Sequence, residues 1–87
     1  MPNKQFSERL NKELDNIGVP LLGSERIDVF AKLMKLPKFK AESLLNGNTM
    51  PDNELLGLLA EELEVNGEWL IGKSDQRLKK SRDNNQP

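Results

Sequence analysis

Four lysines, Lys32, Lys35, Lys38 and Lys40, stand between Ala31 and Asn48 against one acid, Glu42, a local surplus of three positive charges. Ammonium groups gathered on one short stretch suit anionic oxygens, phosphate above all. Downstream the balance reverses: Asp52, Glu54, Glu61, Glu62, Glu64 and Glu68 lie between Pro51 and Gly72 with no base among them. Glu61, Glu62 and Glu64 are of the type that does acid–base or metal chemistry. On a helix, however, adjacent side chains point about 100° apart, so these three do not converge and read as a solvated acidic face. The chain holds no His and no Cys. It therefore lacks the commonest general base and metal ligand, thiolate chemistry and disulfides. With no glycine-rich phosphate loop either, the expectation is a non-enzyme with no cofactor and no metal.

The elements that must position the lysines follow from periodicity. Phe6, Leu10, Leu14 and Ile17 form one stripe of a first helix over about 4–17, with Glu8, Arg9, Lys12, Glu13 and Asp15 around it and Gly18 and Pro20 as its stop. Ser24 is placed as the N-cap of a second helix that buries Ile27, Phe30, Ala31 and Met34. A third helix is expected over 38–46, ended by Gly47, with Ala41, Leu44 and Leu45 inward. Its outward set is then Lys38, Phe39, Lys40, Glu42, Ser43 and Asn46. Asp52 caps a fourth helix whose apolar face is Leu55, Leu56, Leu59, Ala60 and Leu63, and Asn66 caps a short fifth helix through Ile71, stopped by Gly72. Helices two and three meet across a short turn, where Ala31 and Ala41 are small enough to let their axes approach. No strand-like alternation or internal repeat is present, so the fold class is all-α.

The run from Phe30 to Gly47, followed by Met50-Pro51-Asp52, Leu59-Ala60, Val65 and Trp69-Leu70, resembles the phage-repressor-like (Cro/C1-type, Xre-like) helix-turn-helix family of bacterial transcriptional regulators. The resemblance covers about residues 6–73. It implies a five-helix, lambda-repressor-like DNA-binding domain with the helix-turn-helix at helices two and three. Three positions depart from the family pattern: Ile27 where a polar residue, often Gln, is common, Lys35 where the turn usually has Gly, and Pro37 where Ser often opens the recognition helix. Glycine there takes a positive φ that Lys tolerates less well, so a slightly altered turn is expected.

What the resemblance implies about contacts is residue by residue. Base edges would be met by Lys38, reaching guanine O6 and N7, Phe39 on a thymine methyl, Glu42 on cytosine N4, and Ser43. Phosphates would be met by Arg26, Lys35, Lys40, Asn46 and Asn48. Trp69, Leu70 and Ile71 cannot all point inward from so short a helix, and they are the possible contacts of a homodimer formed at least on DNA. The expected function is a sequence-specific DNA-binding transcriptional regulator, a repressor or phage-like control protein, with double-stranded DNA as partner. The alternative is a helix-turn-helix protein-interaction module, antitoxin-like or antirepressor-like, motivated by exposed Phe39 and the Glu-rich fourth helix.

Size and charge bound these expectations. With 87 residues and a net charge of −1, the chain makes one small domain, and the whole does not carry the basic excess usual for a nucleic-acid binder. Distribution matters more than the sum, because a dipolar molecule still presents a positive side to DNA. Residues 1–73 are expected to form the domain. From Ser74 the sequence has a single apolar residue, Leu78, and residues 74–87 read as a polar, disordered tail. No apolar run reaches the roughly 20 residues a membrane span needs, which makes a cytoplasmic protein the expectation.

Overall fold

Phe6, Leu10 and Leu14 recur at every fourth residue, and α1 (Lys4–Asn16) turns all three into the core with essentially no exposed surface. The structure, a computed structural model, describes residues 3–78. Four more helices follow: α2 (Gly23–Met34), α3 (Lys38–Leu45), α4 (Asn53–Leu63) and α5 (Gly67–Leu70). The described residues contain no strand. α2 packs on α3, α1 spans α3 and α5, and α4 meets α5. Phe30, Leu44, Leu59, Val65 and Leu70 join the α1 stripe in one continuous core. Ala31 and Ala41 are both buried where α2 and α3 pack together. The stripe ends one turn sooner than its spacing suggests, since Ile17 is the capping residue and is 52% exposed. Ile27, expected in the core, is only partly buried against it.

The helix starts divide by residue type. Asp52 Oδ1 accepts from the Leu55 N–H at 2.8 Å and Asn66 Oδ1 from the Glu68 N–H at 3.1 Å, so both caps form as the sequence suggests. Ser24 does not act as a cap. α2 begins two residues earlier than expected, at Gly23, with Leu22 in the capping position and no side-chain bond. α3 likewise starts without a side-chain cap behind Pro37, whose φ of −62° and ψ of 149° lead the chain directly into the helix.

All five helices end in one way. A residue of positive φ follows the last turn, at Gly18, Lys35, Gly47, Glu64 and Gly72. In each case the next residue's N–H reaches back five positions, as from Leu36 to the Ala31 carbonyl at 2.8 Å and from Val65 to the Ala60 carbonyl at 3.0 Å. Lys35 and Glu64 adopt φ 58° despite their side chains. The turn after α2 therefore keeps the left-handed geometry that glycine favours, and the altered turn expected from Lys35 is not found. Glycine suits position 47 for a second reason: a Cβ there would crowd the entry to α1, 3.1 Å from Ser7 Oγ and 3.2 Å from the Asn3 carbonyl.

Two buried charges organise the polar framework, and neither is expected from periodicity. Arg26 is 5% exposed and donates to the carbonyls of Asn11, Val19 and Pro20, to Asn11 Oδ1 and to the Asp15 carboxylate. It locks α2 to the end of α1 and to the loop between them. Glu13 is buried and receives Arg77 Nε at 2.7 Å and Nη2 at 2.8 Å. The hydrogen bonds from Arg77 hold the Glu13 carboxyl below the ordinary glutamate range, against the upward push of burial and with further help from the Arg77 charge and from Asn16. The same Arg77 is tied to the start of α5, where the Asn66 N–H donates to the Arg77 carbonyl at 2.7 Å and Asn66 Nδ2 to the Gln76 carbonyl at 3.0 Å.

Those bonds move the expected boundary. Residues 74–78, assigned on composition to a disordered tail, fold back onto α1 and α5, held by hydrogen bonds and an ion pair rather than by apolar burial. Leu78, their one apolar side chain, is 59% exposed. The rest of that predicted tail, 79–87, lies outside the described residues. No helix among the described residues is long and apolar enough to cross a membrane.

Candidate nucleic-acid interface

α3 is eight residues long, barely two turns, and its orientation is set by what it buries. Ala41, Leu44 and Leu45 face the core, which leaves Lys38, Phe39, Lys40 and Glu42 exposed on the other side. Phe39 is 74% exposed, so it does not fold back onto the core. Ser43 is half-buried at the edge of this face, its Oγ 3.2 Å from Thr49 Oγ1. That contact brings the segment after α3 alongside the helix: Phe39, Lys40, Ser43, Thr49 and Met50 line one shallow depression. Thr49 and Met50 are members of the face that helix periodicity could not reveal, because they lie beyond Gly47 and return only through its turn.

Asp28 is the other unexpected member. From α2 its Oδ1 sits 2.9 Å from Lys38 Nζ, although ten residues separate the two, and both side chains stay open to solvent. No local spacing signals this pair. It arises because Lys38 opens α3 beside the exposed flank of α2.

The candidates for backbone anchoring separate. Lys35, Lys40, Asn46 and Asn48 are exposed. Arg26 is not: every part of its guanidinium is engaged inside the protein, so a phosphate contact through Arg26 is replaced by a structural role. Its charge near the start of α2 suggested surface, whereas five internal hydrogen bonds make burial affordable. The proposed dimer contacts separate too. Leu70 has no exposed surface and belongs to the core. Trp69 is half-buried, with the Arg9 guanidinium 4.6 Å from its ring centre and Arg9 Nη1 donating to its backbone carbonyl. Ile71 is half-buried against the core.

The charges separate by element, and the two sets meet where Lys35, Glu61 and Glu62 line one depression. The α2 end, the turn and α3 carry Lys32, Lys35, Lys38 and Lys40, all exposed, while Glu54, Glu61, Glu62, Glu64 and Glu68 are exposed on and after α4. Among the described residues no group of three His, Cys, Asp or Glu is placed to hold a metal ion. The face can donate hydrogen bonds to anionic oxygens through lysines and asparagines, and offer one flat apolar surface through Phe39. Comparison with protein-family models, curated proteins and solved structures returns no match for this chain.

Proposed function

We propose that the protein is a sequence-specific DNA-binding regulator, a repressor or phage-like control protein, that acts by occupying an operator. In this reading α2, the turn at 35–37 and α3 work as a helix-turn-helix within a lambda-repressor-like domain, and α3 enters the major groove. The observation that carries it is the outward face of α3: lysines, Phe39 and Glu42 exposed together on a short helix whose other side is wholly buried. Such a helix presents its side chains from a backbone already fixed by packing, which leaves only side-chain ordering to be done on binding. Lys38, Phe39, Glu42 and Ser43 meet bases. Lys35, Lys40, Asn46 and Asn48 meet phosphate, which gives affinity without sequence information. Two copies on half-sites about 34 Å apart complete the reading, with Trp69 and Ile71, not Leu70, as the partly exposed apolar contacts.

Selection of bound sequences from random duplex DNA, repeated at two salt concentrations, tests it. Enrichment of one sequence is expected, with Lys38→Ala combined with Lys40→Ala abolishing it. Absence of any enriched sequence, or unchanged affinity in the double variant, defeats the proposal. A second reading is favoured by one observation, the side-by-side exposure of Phe39 and Met50. In that reading the same face binds a protein, and a stoichiometric partner retained by wild type and lost in Phe39→Ala, with no retention on DNA, selects it.

A further inference from the structure

We infer that Asp28 is a positioning residue that aims the Lys38 ammonium at a single guanine. The inference rests on the DNA-binding reading above. Lysine is a poor reader of bases by itself, because its charge rides on a flexible stem that samples many rotamers and attracts any nearby oxygen. Lys38 is in the first turn of α3 with its side chain 75% exposed, so burial does little to restrain it. Its ion pair among the described residues is with Asp28 Oδ1 at 2.9 Å. An ammonium has three N–H donors and no acceptor. One of them is spent on Asp28, and two remain. Guanine is the base that offers two adjacent acceptors, N7 and O6, on its major-groove edge, whereas adenine pairs its N7 with an N6 donor. A lysine held from α2 and left with two donors matches guanine in number as well as in kind.

The carboxylate also has a cost, and that cost makes the idea testable. Asp28 places a negative charge beside a surface meant for a polyanion, so it must weaken binding to DNA of any sequence. A residue that only held the fold together would not trade affinity against selectivity. The pair is open to solvent and contributes little to stability, so variants at Asp28 are expected to fold with an unchanged melting midpoint.

The experiment compares wild type, Asp28→Ala and Asp28→Glu by sequence selection and by titration of the selected duplex and of an unrelated duplex. For Asp28→Ala, affinity for the unrelated duplex should rise about threefold at low salt, the effect of removing one like charge near phosphate. Preference for guanine at one position of the selected site should fall by about tenfold, within the range one well-made base contact supplies. Asp28→Glu keeps the carboxylate and should restore the guanine preference. Unchanged preference at every position in Asp28→Ala overturns the inference while leaving the DNA-binding reading intact. If wild type selects no sequence at all, that reading fails and this inference falls with it.

Discussion

Arg26 and Glu13 show how a charged residue in a small helical domain is decided by its neighbours. Arginine has five donors in a rigid fork, and here the fork meets three backbone carbonyls, an amide oxygen and a carboxylate. Arg26→Ala would orphan buried carbonyls and remove the stem's packing, and a loss of about 2–4 kcal/mol is expected in denaturant unfolding. Arg26→Lys should recover only part of it, since three donors cannot replace five. Glu13 supplies a pH dependence. Its folded-state carboxyl is held below the ordinary range, so its contribution is complete above the unfolded value of about 4.3 and is lost as pH falls through the lowered folded value. In Arg77→Ala the same carboxyl is expected to titrate higher, read by NMR, and the amide of Asn66, which donates to the carbonyl of residue 77, should exchange faster as the segment 74–78 detaches.

At the level of elements, the repeated left-handed helix ending explains how five helices fit in so short a chain. Each ending reverses the chain within two residues, and three of the five are followed at once by an apolar side chain, Val19 and Val65 in the core and Leu36 packed against it. Glycine serves three of the five. At Glu64 the left-handed backbone costs an L-residue about 1–2 kcal/mol, part of which glycine would return in unfolded-state entropy. Glu64→Gly is therefore expected to stabilise by about 0.5–1 kcal/mol, and it also removes a negative charge from a helix C-terminus, where the dipole opposes it. Denaturant midpoints with an unchanged slope would show this, and a destabilised variant would refute the strain argument. Lys35 sits in the same conformation but belongs to the candidate interface, so Glu64 is the cleaner test.

For the molecule as a whole, separation of charge outweighs the net value of −1. If Lys35 and Lys40 each displace a counterion from DNA, binding should fall by about tenfold between about 50 and 200 mM salt. Replacing Glu61 and Glu62, which line one depression with Lys35, with Gln should raise association rates and affinity for any duplex at low salt and leave base preference untouched, because neither lies on the base-reading face of α3. A loss of sequence preference in that variant would mean that α4 takes part in recognition directly.

Much of this architecture is legible in the one-dimensional pattern. The stripe of Phe6, Leu10 and Leu14, the caps Asp52 and Asn66, the small Ala31 and Ala41 and the terminator Gly47 are local signals, acting within a helical turn or at one helix end. The side of α3 left exposed is decided by packing rather than periodicity, because Phe39 stands outward against the buried Ala41, Leu44 and Leu45. What the pattern could not supply depends on groups distant in the chain. Burial of Arg26 needs the carbonyls of the preceding loop, and docking of residues 74–78 needs Glu13, 64 positions before Arg77. The Asp28 to Lys38 pair and the approach of Thr49 and Met50 to α3 need the turns on either side of that helix. Hydrophobic spacing therefore sets the helices and most of their inward faces, because it is a local property. Which charges are satisfied inside the protein and which are left for a partner is decided only when the helices pack, because pairing depends on distances that the chain order does not contain.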